Sequence, residues 1–175
     1  MNQSLFLIAA VTVLLIMLPG LANASTTSEG FETYTNEDYG FSIEYPSNFQ
    51  KLESNLQEYQ VVKFLANYDV PAAALSIFIG KINPNMSLYE AANLTNGVSI
   101  RQISMTNTTV SGMPAVERVY YQYENDATAK IKGVYILNND NLDLIKIRYI
   151  TEPQYFDEYI TALDHMLQSF KIGVS

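Results

Sequence analysis

The chain has 175 residues, with 18 acidic and 10 basic side chains, a formal net charge of −8 and no cysteine. An acidic chain without a cluster of lysine and arginine repels phosphate backbones, which argues against a nucleic-acid partner. The absence of cysteine excludes disulfides, thiolate metal sites and a lipid anchor attached through a thiol.

The first part of the chain predicts export. Residues 5–18 are apolar apart from one threonine, and a Pro-Gly pair and an Ala-x-Ala site ending at Ala24 follow them. This pattern is typical of a signal peptide comprising residues 1–24, and the apolar run is shorter than the roughly 20 residues that span a bilayer. An uncleaved N-terminal anchor is the alternative. Residues 25–30 are small and polar and form a short linker, which leaves residues 31–172 as one domain.

The stretch 39–46 predicts the strand around which the domain is organised. Phe41, Ile43 and Tyr45 alternate with polar residues, which is the period of a half-buried strand. Pro46 should end this strand, because proline cannot donate a hydrogen bond to the next strand.

Five further strands are expected on the same grounds of alternation and flanking turn residues. Their predicted positions are 59–66, 73–82, 115–123, 130–137 and 142–150. Asn-rich and Asp-rich connections join the last three, and such residues suit hairpin turns. The sequence therefore predicts an antiparallel meander in the second half of the domain.

Two helices are predicted. Ser87 and Glu90 have the spacing of a capping box, which favours a helix from 88 to about 103, with a loop at 106–112. The second helix begins near Pro153, since proline suits the first turn of a helix. Its apolar residues form one continuous stripe that must pack on the sheet: Phe156, Tyr159, Ile160, Leu163, Met166, Leu167 and Phe170. Strands and helices in this order give an α+β domain.

Several stretches together resemble a known family. They are a Tyr-Gly-Phe-Ser-Ile-x-Tyr-Pro opening at 39–46, a Gly-x-Pro-Ala turn at 112–115, a tyrosine-rich strand at 118–123, a lysine-flanked strand at 130–137, and a closing helix with a Ser-Phe-Lys tail at 155–172. In this order and spacing they resemble the PsbP-like domain, which has many non-photosynthetic members in bacteria and archaea.

The resemblance implies an antiparallel sheet sandwiched between helices. It also implies a secreted or surface-held, non-catalytic accessory domain that binds a protein partner in a membrane complex or in the cell envelope. The alternative is a calcium-binding extrinsic subunit of a photosystem II oxygen-evolving-type complex. The photosynthetic subunit has a long N-terminal segment used in ion retention, whereas only residues 25–30 precede the domain here, and this difference argues against that alternative.

Two acidic turns are the candidate metal ligands. Glu124 with Asp126, and Asp140 with Asp143, would form a weak calcium site if both turns lay at one end of the meander. The second turn lacks the central glycine and the distal glutamate of a calcium loop, and a hairpin explains its composition. No cofactor is expected.

No catalytic constellation is recognisable. The chain has no cysteine nucleophile, no phosphate loop and no nucleophile elbow, and the only histidine, His165, should lie at the surface of the last helix. We therefore expect that the protein is not an enzyme. A hydrolase with paired carboxylates remains a second alternative, because such pairs meet only in the fold.

Two other features concern the surface. Asn85, Asn93 and Asn107 begin N-glycosylation sequons. Five tyrosines are expected to be neighbours on adjacent strands, where aromatic pairs stabilise a sheet: Tyr120, Tyr121, Tyr123, Tyr135 and Tyr149. Packing in the core explains that cluster better than an aromatic ligand surface does.

Overall fold

The computed structural model describes residues 30–53, 57–66, 73–94, 99–124, 127–138 and 142–173. The predicted export leader lies outside these residues. The elements in chain order are β1 (Phe31–Asn36), β2 (Phe41–Pro46), β3 (Phe49–Leu52), β4 (Gln60–Ala66), β5 (Ala73–Lys81), α1 (Leu88–Asn93), β6 (Ser99–Val110), β7 (Met113–Glu124), β8 (Ala127–Asn138), β9 (Asp143–Thr151), a 3-10 turn (Pro153–Tyr155), α2 (Phe156–Ser169) and β10 (Lys171–Ile172). Within this part of the chain, no helix has the length and hydrophobicity required to cross a membrane.

The strands form two antiparallel sheets. The larger sheet has seven strands in the order β3-β4-β5-β9-β8-β7-β6, and the smaller has three in the order β1-β2-β10. Strand β5 pairs with β9, so the chain leaves the middle of the large sheet after β5, reaches its edge at β6 and returns through the meander.

The two faces of the large sheet have different neighbours. The small sheet and α2 pack on one of them, called the α2 face, where Phe41 lies 5.5 Å from Phe170 and Tyr149 lies 5.2 Å from Phe156 between ring centroids. Helix α1 packs on β7 and β8 from the other side, called the α1 face, where Ala92 contacts a smaller buried cluster. The main core therefore lies under α2.

The end of the chain closes the small sheet. Strand β10 pairs with β2, and the amide of Gly173 donates a 2.8 Å hydrogen bond to the carbonyl of Gly40. Gly40 has φ 61°, a left-handed conformation that glycine adopts without strain and that turns β1 into β2. The stretch predicted to organise the domain is thus the central strand of the small sheet.

Most of the predicted strands are confirmed. The strand at 41–46, the pair β4 and β5, and the meander β7–β8–β9 all lie within a few residues of their expected bounds. The closing helix is confirmed as well, and it buries Phe156, Leu163 and Met166 as its stripe predicted.

The first predicted helix is wrong beyond its first six residues. The capping box forms, with the Ser87 hydroxyl accepting from the Glu90 amide at 3.2 Å, but α1 ends at Asn93. The described residues 99–103 of the predicted helix and residues 106–110 of the predicted loop belong instead to β6, which pairs with β7 along its length. Long-range pairing outweighed the local helical pattern here, because this segment is rich in β-branched residues.

Three strands had no prediction. They are β1, β3 and β10, and all three are short edge strands without a clean alternation of apolar residues. The α+β class and the antiparallel sheet are confirmed. The expected sandwich is not, because α1 has only six residues and packs on β7 and β8.

Candidate functional site

Two of the candidate metal ligands, Glu124 and Asp143, lie far apart. Glu124 pairs with Ala127 at one end of β8, and Asp143 pairs with Asn138 at the other. Because β8 has twelve residues, these ends are about 36 Å apart. Glu124 and Asp143 therefore do not share one site, because successive hairpins of a meander turn at alternate ends.

The remaining metal candidates, Asp126 and Asp140, lie outside the described residues. Asp143 bonds the ammonium of Lys81 at 2.6 Å. Over the ranges the structure describes, no group of three or more histidine, aspartate and glutamate side chains is arranged to hold a metal ion.

The sequons and the histidine are accessible. Asn85, Asn93 and Asn107 are all exposed, so their glycosylation stays a prediction. His165 lies partly exposed on α2, as expected, with its Nε2 atom 2.7 Å from a carboxylate oxygen of Glu44 and its ring stacked on Phe31. It links the last helix to β2 and β1.

A pair of carboxylates does meet on the α2 face. The ammonium of Lys132 lies 3.0 Å from an oxygen of Asp164 and 3.1 Å from an oxygen of Glu117, beside an open groove of about 410 Å³. Burial alone would lower the pKa of Lys132, but the two carboxylates outweigh it and the pKa is raised. The lysine occupies the space between the carboxylates, where a hydrolase would hold the bond it cleaves.

The tyrosines do not form one cluster. Tyr121 and Tyr123 have rings 6.5 Å apart on the α2 face, where Tyr149 also lies, because the pairing of β7, β8 and β9 places all three on that side. Tyr120 and Tyr135 lie on the α1 face. Neighbours such as Tyr120 and Tyr121 must point to opposite faces of a strand.

Three basic side chains of the meander share the α1 face. Arg118 lies on β7, and Lys146 and Arg148 lie two residues apart on β9, on the side opposite the main core. We call these three residues the cationic cluster. Their signal in the sequence is a basic residue at the alternate positions of strands that are otherwise apolar, but the sequence alone does not show that these positions share one face of the sheet.

Aromatic rings surround the cationic cluster. The guanidinium carbon of Arg148 lies 5.1 Å from the ring centre of Phe78, and that of Arg118 lies 4.8 Å from the ring centre of Tyr120. The ammonium of Lys146 lies between two rings, 5.4 Å from that of Tyr135 and 5.8 Å from that of Phe78. Such cation–π contacts recover part of the free energy lost when these charges leave water.

The cationic cluster has no acidic partner within the described residues. Arg118 is only 2% exposed and donates from Nη1 to the carbonyl of Ala92 at 2.8 Å. The Nε atoms of Arg118 and Arg148 are buried and unpaired. Burial, and next the charges of Arg148 and Arg118, lower the pKa of Lys146 to about 8.

Glycine makes room for an aromatic ring inside the cluster. Gly133 stands between Arg118 and Arg148 across the three strands. The ring of Tyr135 lies over it, since a Cβ atom at Gly133 would be 3.0 Å from that ring. The position is therefore closed to any residue with a side chain unless Tyr135 moves.

A cavity of about 590 Å³ opens beside the cluster. Lys146 and Tyr135 lie at its base, and Tyr59 and Leu94, which are 65% and 56% exposed, form its rim. Tyr59 has φ 62°, a conformation that non-glycine residues seldom adopt, and its ring rests 3.8 Å from the Cβ position of Gly80. This geometry holds an aromatic ring at the mouth of the cavity.

Two acidic residues near the rim already have partners. The pKa of Tyr59 is raised because its hydroxyl bonds the carboxylate of Glu58, and Asp143 is bonded to Lys81. Neither carboxylate is ion-paired with Lys146.

Comparison with known proteins identifies the fold. No protein-family model matches the sequence, and no curated protein does so either. Among solved structures, cyanobacterial PsbP (CyanoP) from Synechocystis sp. PCC 6803 has a TM-score of 0.62 at 14% identity, covering 85% of this chain and 95% of its own.

Two other structures share the same fold. LpqN of Mycobacterium tuberculosis, involved in cell envelope biogenesis, has a TM-score of 0.61 at 12% identity, over 82% of this chain and 90% of its own. The Ran-binding protein Mog1p of Saccharomyces cerevisiae has a TM-score of 0.60 at 10% identity, over 83% and 97%. The chain therefore has the PsbP-like fold that its motifs predicted.

Proposed function

We propose that the chain is an exported, non-catalytic binding domain that associates with a protein partner at a membrane surface or in the cell envelope. The observation that carries the proposal is the cavity on the α1 face, with Tyr59 and Leu94 exposed at its rim and Phe78 and Tyr135 in its wall. Cavities of this size that are walled by aromatic groups and contain a few polar atoms are typical ligand sites, and aromatic residues dominate the free energy of protein interfaces.

The predicted leader and the shared fold support the cellular setting. A signal peptide or an uncleaved anchor would deliver the domain to the outer side of the membrane. LpqN and CyanoP show that this fold occurs in a protein of cell envelope biogenesis and in a PsbP protein.

The proposal is tested by photo-crosslinking in cells of the protein's own host. A crosslinking amino acid at Leu94 should give a discrete adduct, whereas the same group at Tyr39, which is 50% exposed in the turn between β1 and β2, should not. The adduct should weaken with Tyr59→Ser and persist with Tyr89→Ser, which alters an equally prominent tyrosine outside the cavity lining. Equal adducts from both positions, or none, would contradict the proposal.

The proposal includes no metal and no cofactor. Calorimetric titration with calcium should then show only weak binding, with a Kd of about 1 mM or above. Micromolar binding of calcium would favour the ion-binding role instead.

A carboxylate-dependent hydrolase is the second candidate, and the meeting of Glu117 with Asp164 favours it. The bridging Lys132 opposes it. Hydrolysis of a panel of aryl glycosides that is lost in both Glu117→Gln and Asp164→Asn would establish this activity, and no hydrolysis by the unmodified protein would remove it.

A further inference from the structure

We propose that Lys146 and Arg148, with the charge of Arg118 behind them, bind an oxyanion, a carboxylate or a phosphate, attached to an apolar group that fills the neighbouring cavity. The idea that a protein partner supplies this oxyanion rests on the binding role proposed above. The existence of an anion-binding site depends only on the geometry of the α1 face.

The charge distribution is the first support. The chain carries a net charge of −8, so carboxylates are abundant, yet none among the described residues is ion-paired with the cationic cluster. A buried and unpaired charge is strongly destabilising, and proteins pair or replace such groups. Arg118 is 2% exposed with an unpaired Nε atom, and Arg148 also has a buried and unpaired Nε atom. An anion beside Lys146 and Arg148 would supply negative charge that this cluster lacks among the described residues.

The geometry of access is the second support. Lys146 lines the cavity, and its ammonium lies between the rings of Phe78 and Tyr135. Arg148 follows two residues later on the same face, about 7 Å along the strand. Arg148 does not line the cavity, but its guanidinium carbon and the Lys146 ammonium lie 5.1 Å and 5.8 Å from the centre of the same Phe78 ring. An oxyanion beside that ring can therefore reach both cations. Arg118, about 10 Å away across two strand spacings, contributes charge from the interior.

The other charged groups around the cavity do not compete for this position. Glu58 at the rim is bonded to the hydroxyl of Tyr59, and Lys81 is bonded to Asp143. Lys63 lies on the same face, opposite Ser76 on β5. Glu58 and Lys81 at the rim therefore already have partners, whereas Lys146 has no acidic partner among the described residues.

The walls of the cavity define the rest of the ligand. Tyr59, Phe78 and Tyr135 present rings, and Leu94 and Leu144 add aliphatic surface. A planar apolar group bearing one oxyanion fits these walls better than a free ion does. The chemical class is thus an aromatic or acyl carboxylate, or the corresponding phosphate ester.

The test is a titration at constant ionic strength, followed by the NMR signals of the Lys146 ammonium and the Arg148 guanidinium. The probes are acetate, benzoate, inorganic phosphate and phenyl phosphate. We expect the phenyl-bearing probe of each pair to bind about tenfold more tightly, because the ring removes apolar surface from water. Comparing acetate with inorganic phosphate, and benzoate with phenyl phosphate, shows which oxyanion the site prefers.

Variants assign the binding to the cluster. Lys146→Met and Arg148→Met should each weaken binding about tenfold or more, since a hydrogen bond to a charged group is strong. Lys171→Met removes an exposed lysine from β10 and should leave affinity within about twofold. Equal binding by all variants, or no saturable shift at Lys146 with any probe, overturns the proposal.

The two proposals can fail separately. If the probes bind at the cluster but the adduct at Leu94 is absent, the anion site stands and the protein partner is wrong. If the adduct forms and survives Lys146→Met and no probe binds, the partner role stands and the anion site is wrong.

Discussion

Two lysines on neighbouring strands show how differently the two faces of the large sheet hold a buried charge. Lys132 on β8 belongs to the α2 face, where carboxylates of Glu117 and Asp164 bond it and its pKa is raised despite burial. Lys146 on β9 belongs to the α1 face, where aromatic rings and two arginines surround it, no described carboxylate pairs with it, and its pKa is lowered to about 8.

The contrast separates structural from functional use of charge. A lysine with two carboxylate partners contributes to the packing of α2 on the sheet. A lysine with no described acidic partner lowers stability, and a fold selected for stability alone would replace it. Ionisable groups with strongly perturbed pKa values are concentrated at functional sites. The α2 face therefore stabilises the domain, and the α1 face is the side we assign to binding.

The largest expected effect is on the α2 face. Lys132→Met leaves two partly buried carboxylates without their shared cation, and we expect the free energy of unfolding to fall by about 3 kcal/mol. Urea denaturation of the variant and the unmodified protein at pH 7 measures this difference in the free energy of unfolding. Lys81→Met, which breaks an exposed pair with Asp143, should cost less than about 1 kcal/mol. A loss at Lys132 no larger than at Lys81 would remove the contrast between the faces.

The next largest effect is expected at Gly133, which lies under the ring of Tyr135. Gly133→Ala places a methyl group about 3 Å from the ring, and overpacking of this kind should lower the free energy of unfolding by about 2 kcal/mol. The same variant should weaken benzoate binding, since Tyr135 forms the base of the cavity. Thermal denaturation gives the first quantity. An unchanged Tm would show that the Tyr135 ring moves aside for the methyl group without loss of stability.

A change of opposite sign is expected at the other lysine. Lys146→Met removes a half-buried charge that has no described acidic partner and keeps most of the side-chain volume, so the free energy of unfolding should rise by about 1 kcal/mol. The measurement is the one used for Lys132, in a buffer without oxyanions. Destabilisation by Lys146→Met would mean that Lys146 has a partner and that the two faces are alike.

The smallest effect is in the pH dependence of stability. Lys146 has a folded-state pKa of about 8, below the value of about 10.4 in the unfolded chain. Between these values the unfolded chain binds more protons, so stability should rise with pH from about 8 to 10. The pKa of Lys132 is raised, so its contribution to stability is retained until the pH exceeds about 10.4. We expect the free energy of unfolding to increase by about 1 kcal/mol by pH 9, and Lys146→Met should abolish this increase. An equal increase in that variant would show that another group causes it.

The sequence predicts the parts of the fold that local patterns determine. Alternation in the stretch 41–46 identified β2, and a continuous apolar stripe identified α2, since both patterns report directly which side is buried. β6 was misread as helix and loop because its structure depends on pairing with β7, a contact that no local window contains.

The candidate site could not be predicted because it depends on register. Arg118, Gly133 and Arg148 are distant in sequence, and only the pairing of β7, β8 and β9 aligns them in one row. The pairing of Glu124 with Asp143 in one metal site was predicted wrongly for a related reason. Their turns follow one another in the sequence, but they lie at opposite ends of β8. Side-chain chemistry was readable from the sequence, but proximity was not.

The pairing of β10 with β2 has a consequence for synthesis. Strand β2 emerges from the ribosome long before the partner of its second edge, at residues 171–172. Until then Phe41 and Ser42 belong to an unprotected edge on a nascent polypeptide, and exposed edges recruit other strands. We therefore expect this edge to be most prone to pairing with other chains before β10 is made.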